Sequence, residues 1–180
     1  MAIWLRTDEQ VESVVSLETA ARAAGGVAGD LHEWRWVVLG LHSALQRFMV
    51  MALRGSDGLA PLRNDVAKAW MKAYREKQPL PEEKLDSFLA LYSKSKGPRM
   101  RQHVESAPFE PHGSQDKSVM RLNALRNDFI HFPPRSWSLE VSGLPEICLD
   151  CLALIEFLGW KCGNVDWGAS FTEQRAVAAV

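Results

Sequence analysis

The chain has 180 residues, 47% of them hydrophobic and 24% charged, which suits one globular domain with a real core. Its 21 basic and 22 acidic side chains leave a net charge of −1, so no global basic field draws in nucleic acid and any such contact has to be local. Three cysteines argue against a disulfide framework, the start MAIWLRTDEQ lacks a secretory pattern, and no apolar run reaches about 18 residues; the expectation is a cytoplasmic chain without a membrane span.

In chain order, Thr7 or Asp8 caps a first helix, with Glu9 and Glu12 in its early turns and Gly25-Gly26 at its end. Val11, Val14, Val15, Glu18 and Ala21 carry its helical spacing. Asp30 caps a longer helix reaching about Leu53. On it Trp34, Val38, Leu41, Leu45, Phe48, Met49 and Ala52 share a face, with Trp36 and Val50 on the other side. A helix so apolar around its girth is central, or faces a partner chain as well as its own core. GSDGLAP, 55–61, breaks the chain. Two shorter inserted helices follow at 62–76 and 82–95, the second opening on Glu82, Glu83 and Asp86 as an acidic first turn.

Residues 97–116 have prolines, glycines and no periodicity, and read as a long loop. A helix is expected at 117–132, then an extended connection in which Trp137, Leu139 and Val141 alternate. A last helix runs over 144–161, with Leu144, Ile147, Cys148, Cys151, Leu152, Ile155 and Leu158 on one face. The tail, 168–180, is expected to be weakly ordered around a core of 7–161. There is no fixed repeat and no nucleotide-binding glycine fingerprint. The class is all-α: a single-domain bundle of long helices with an inserted shorter pair.

The stretch RNDFIHF, 126–132, concentrates polar chemistry at a helix end. At 100° per residue Leu122, Leu125, Phe129 and Phe132 form the core face, while Asn127 and His131, four apart, point away from it. Arg126 lies between the two sets and reaches toward the asparagine and histidine. Pro133-Pro134 stop the helix, which leaves His131 in its last turn. Histidine is the side chain suited to acid or base work near neutral pH. A solvated helix end has the same composition, and Arg63-Asn64-Asp65 repeats the tripeptide with Lys68 where the histidine would stand.

LRNDFIHF, 125–132, resembles the R-x-x-x-x-H signature of the HEPN superfamily (the higher-eukaryote and prokaryote nucleotide-binding domain), in which a polar residue, often Asn, follows the arginine. The helix order over 7–161, with the motif on a late helix, is similar to that of a HEPN-like bundle. The resemblance implies a metal-independent endoribonuclease needing no cofactor, of the toxin–antitoxin or defence type. His131 would activate the ribose 2′-hydroxyl or protonate the leaving 5′-oxygen. Arg126 would hold the scissile phosphate, and Asn127 would orient the other two or bind phosphate. One histidine cannot be base and acid in one step, so a homodimer facing two motifs is implied, with RNA as substrate and a cognate antitoxin protein as a further partner.

Arg99, Arg101 and Arg135 are the added candidates for RNA phosphate, and Trp137 either stacks a base or closes the core. The competing reading is a non-catalytic HEPN-like module that binds a nucleotide or a protein. Other candidates are weaker. His42 shares a stripe with Arg35 and Gln46 and reads as a hydrogen-bonded histidine at the core edge. The C-x-x-C pair Cys148 and Cys151 lies in an apolar helical pattern and reads as buried thiols, with no metal expected. His103 and His112 are read as solvated loop residues.

Overall fold

The computed structural model describes residues 2–132, 134, 136–168 and 171–180. Among them every regular element is helical: α1 Glu9–Ala24, α2 Trp34–Leu53, α3 Asn64–Arg75, α4 Phe88–Ser95, α5 Gln115–Ile130, α6 Leu144–Glu156 and α7 Phe171–Ala179. The fold is all-α. A single core cluster runs from Val14 on α1 to Ala176 on α7.

α1 starts where Asp8 accepts a hydrogen bond from the Val11 amide (2.9 Å), and it buries Val14, Leu17, Ala20 and Ala23. Val11 is only half-buried and Val15 is exposed, so the packed stripe is narrower than the valine spacing suggests. α1 and α2 form the most extensive helix pair. Gly40 makes this possible: a Cβ there would meet Ala20 N and Ser16 O at 2.9 Å. α2 is central, as its apolar girth implies, and packs on α1, α4, α5 and α6. Its expected face is buried from Trp34 to Ala52, while Val50 is half-buried against the core and only Trp36 of the opposite pair stands half-exposed. Leu31–Leu53, with mean hydropathy 1.4, is long and apolar enough to cross a membrane, although the length of its uninterrupted runs suggested otherwise; 67% of its most apolar window is buried inside this chain.

The inserted pair departs from expectation. α3 buries no residue. α4 begins at Phe88 with Ser87 as its cap, six residues later than predicted. Pro79 and Pro81 hold the preceding chain away from helix. Instead Leu62 and Leu85 form an isolated antiparallel bridge, with Arg63 N–H donating to Lys84 O and Asp86 N–H to Pro61 O, both 3.0 Å. Asp86 is therefore not a first-turn carboxylate. It pairs with Lys94 at 2.8 Å.

The 97–116 loop is pinned down. It makes one 3-10 turn at Pro98–Met100 and buries Met100 and Phe109. Gln102 and Asn164 both donate to the Ala52 carbonyl at the end of α2. α6 continues as a π-helical turn, Phe157–Lys161. The tail expected to be weakly ordered forms α7, docked on α1 by buried Ala176 and by Arg175, which grips Glu18 with two bonds of 2.8 and 2.6 Å. The arginine holds the Glu18 carboxyl below the usual carboxylate range.

Candidate functional site

α5 is fastened at its beginning and free at its end. Ser114 and Ser118 hydroxyls donate to the same oxygen of Asp150 on α6, at 2.7 and 2.6 Å. Asp116 accepts from Tyr92 (2.8 Å) and Lys96 (2.7 Å). Val119, Leu122 and Leu125 are fully buried. Beyond them the helix surfaces: Asn127, Asp128, Ile130 and His131 are exposed.

Arg126 is half-buried and its Nη1 donates to Asn127 Oδ1 at 3.0 Å, so the arginine does swing toward the asparagine. His131 donates its backbone N–H to Asn127 O at 2.8 Å and then leaves helical geometry, at φ −104° and ψ 42°. The histidine thus caps α5 instead of completing its last turn, and it is exposed.

That exit also corrects Phe132. The 100° rule stops applying at His131, and Phe132 is 54% exposed instead of lying on the core face. Phe129 meets Trp137 edge-on (5.1 Å) and Phe132 touches the same ring at 6.0 Å. Trp137, Leu139 and Val141 run extended and pack against the core without forming a strand. With Trp34 they floor an open cleft of about 670 Å³ beside the motif. Its rim mixes exposed apolar residues, Leu31 (63% exposed), Trp36 (50%), Ile130 (47%) and Phe132, with the exposed His32 and Arg35.

Under the motif, α2 supplies His42. The ring is buried, stacks on Phe88 (3.9 Å between centroids, 19°) and donates from Nε2 to Asn123 Oδ1 at 3.2 Å. Burial pushes this imidazole down to about 4; the Asn123 bond opposes the shift and the nearby Arg126 guanidinium adds to it. Arg35 does not join His42 but lies over Trp36 at 5.3 Å. Asn123 was not singled out from sequence, though it stands four residues before Asn127 and so shares its strip of α5.

Arg99 and Arg101 are not brought to this site. They lie by the carboxy-terminal end of α2, where Gln102 holds Ala52, whereas the motif lies along the stretch of α2 from His42 back to Trp34, roughly 15 to 25 Å away along the helix. Arg99 donates to Asn64 (3.3 Å) and Arg101 is exposed. Arg135 is outside the described residues. The three thiols are free, and burial pushes Cys148 up to about 11 and raises Cys151 and Cys162 as well. Among the described residues no group of three or more His, Cys, Asp or Glu side chains is placed to hold a metal ion.

No protein-family model matches the chain, and neither a curated protein nor a solved structure matches it.

Proposed function

We propose that this chain is a HEPN-type, metal-independent endoribonuclease acting as a homodimer. The observation that carries the reading is the exposed end of α5, where a hydrogen-bonded Arg126–Asn127 pair precedes an exposed His131 whose backbone N–H bonds the Asn127 carbonyl, on an otherwise well-anchored helix. A guanidinium offers several donors to a phosphate and stays charged, so Arg126 neutralises the pentacoordinate phosphorane as charge builds. Its bond to Asn127 orients the amide, whose NH2 is then directed away and free to donate to a phosphate oxygen.

In the reaction, His131 of one copy takes the 2′-hydroxyl proton, the 2′-oxygen attacks phosphorus, and the 5′-oxygen leaves. The second copy's His131, protonated, gives that oxygen its proton. The products are a 2′,3′-cyclic phosphate and a 5′-hydroxyl, with one proton taken and one returned. The exposed apolar residues Leu31, Trp36, Ile130 and Phe132, set among His32 and Arg35, flank the motif and supply a surface for the two-fold contact. Val50, the other residue read as available for such a contact, is packed on this chain's own core.

The test is RNA cleavage in EDTA by wild type and by His131→Ala, with product ends identified. Cyclic-phosphate ends made by the first and lost in the second support the reading. A folded dimer that cleaves none of a varied RNA panel would turn it to the non-catalytic module.

A further inference from the structure

The motif cleft accounts for the exposed apolar residues of α2 and α5 but not for the charge on α3. Lys68, Lys72 and Arg75 follow one another at spacings of four and three, on one strip of the helix that extends about 10 Å. Opposite them stands Arg99 from the 3-10 turn at Pro98–Met100. Together they line an open groove of about 690 Å³ floored by Ala67 and Met71. Among the described residues none of the four cations is within salt-bridge distance of a carboxylate. Of the groove's two acids, Asp57 is occupied by the Leu59 amide (2.9 Å), and Glu76 sits past the end of α3.

A structural role covers only part of this. Lys72 and Arg75 lie in the last turn, where cations complement the helix carbonyls, but Lys68 and Arg99 do not. α3 fully buries no residue, and its half-buried Val66, Trp70 and Ala73 lie on the side away from the cations, which take no part in that packing. Trp70 and Tyr74 stack in parallel (5.5 Å between centroids, 13°) on the far side of α3, outside the groove. Unpaired cations strung along a concave track are a means by which proteins hold a phosphate backbone without reading its sequence.

We infer that the α3 groove binds the phosphate backbone of single-stranded RNA. A track of cations suits a strand better than one anion, because the charges are strung along the groove and do not converge. The groove lies by the carboxy-terminal end of α2, so it would hold the strand away from the α5 motif and not at the scissile bond. The inference rests on the ribonuclease reading only for the identity of the strand as RNA.

The test uses full-length His131→Ala protein, so that binding is read without cleavage, and a fluorescent single-stranded RNA of about 20 nucleotides followed by anisotropy across salt concentrations. Adding Lys68→Gln, Lys72→Gln and Arg75→Gln is expected to weaken binding at least about tenfold and to flatten the salt slope by about 2, as three lost phosphate contacts require. Removing three charges elsewhere, with Arg6→Gln, Arg22→Gln and Lys117→Gln, is expected to change affinity by less than about threefold. Equal losses in the two triple variants, no loss in the first, or no RNA binding by the parent each overturn the inference. If the α3 triple alone loses binding while protein with His131 intact cleaves nothing, the groove stands and the ribonuclease reading falls.

Discussion

Arg-Asn-Asp occurs twice in this chain, once opening a helix and once near the end of one, and the two copies do different things. At 63–65 the tripeptide starts α3. Arg63 is in extended geometry and folds back to clasp Asp65 with bonds of 3.1 and 2.9 Å, which holds that carboxyl below its usual range. A carboxylate is favoured in a first turn, so the pair closes on itself and leaves only Asn64 to reach outward, to Arg99. At 126–128 the tripeptide lies two residues short of the end of α5. Arg126 is now within the helix, Asp128 falls on another strip, and the guanidinium finds Asn127. Place along the helix, and not composition, decides whether the arginine is neutralised or left with charge to offer.

The comparison is broken most sharply by activity. His131→Ala should lower RNA cleavage about a thousandfold, equivalent to about 4 kcal/mol of transition-state stabilisation. Lys68→His, which rebuilds the arginine-to-histidine spacing on α3, should restore none of it when added to that variant. Initial rates in EDTA decide both, and a rescue by Lys68→His would mean that the spacing alone suffices. The next effect is on packing. Leu122→Ala on α5 should cost about 3 kcal/mol in urea unfolding, because the side chain is fully enclosed. Met71→Ala on α3 should cost less than about 1 kcal/mol, since nothing on that helix is fully buried.

pH separates the two regions further. His42 titrates at about 4 when folded and near 6.5 when unfolded, so the unfolded chain binds the extra proton between those values. Its contribution is intact above pH 6.5 and is lost as pH falls toward 4. Between pH 6.5 and 5 wild type should lose about 2 kcal/mol more than His42→Gln, and parallel curves for the two would place the histidine in water instead. The smallest effect is at the fastened end of α5: Ser118→Ala should cost about 1 kcal/mol through its bond to Asp150, measurable as a shift in urea midpoint.

Much of the architecture follows from local pattern. Long apolar periodicities with caps, such as Asp8 before α1 and Asp30 before the turn at Leu31–Glu33, define helices because hydrogen bonding and side-chain period are set by near neighbours. The bond between Arg126 and Asn127 is of this kind, since neighbours in a helix meet whatever surrounds them. So is the placing of the buried face of α2.

Tertiary structure decided the rest. Glu82, Glu83 and Asp86 imitate a helix start, yet two prolines and Lys94 hold that segment extended. The tail became a helix because Glu18, 157 residues away, was there to receive Arg175. Phe132 is turned outward by a break at His131 that no periodicity contains. His42 met Asn123 and Lys68 came to face Arg99 only once α2, α5, α3 and the loop after α4 had packed. Contacts across such separations cost chain entropy that sequence-local preferences do not repay, so only the assembled core could select them.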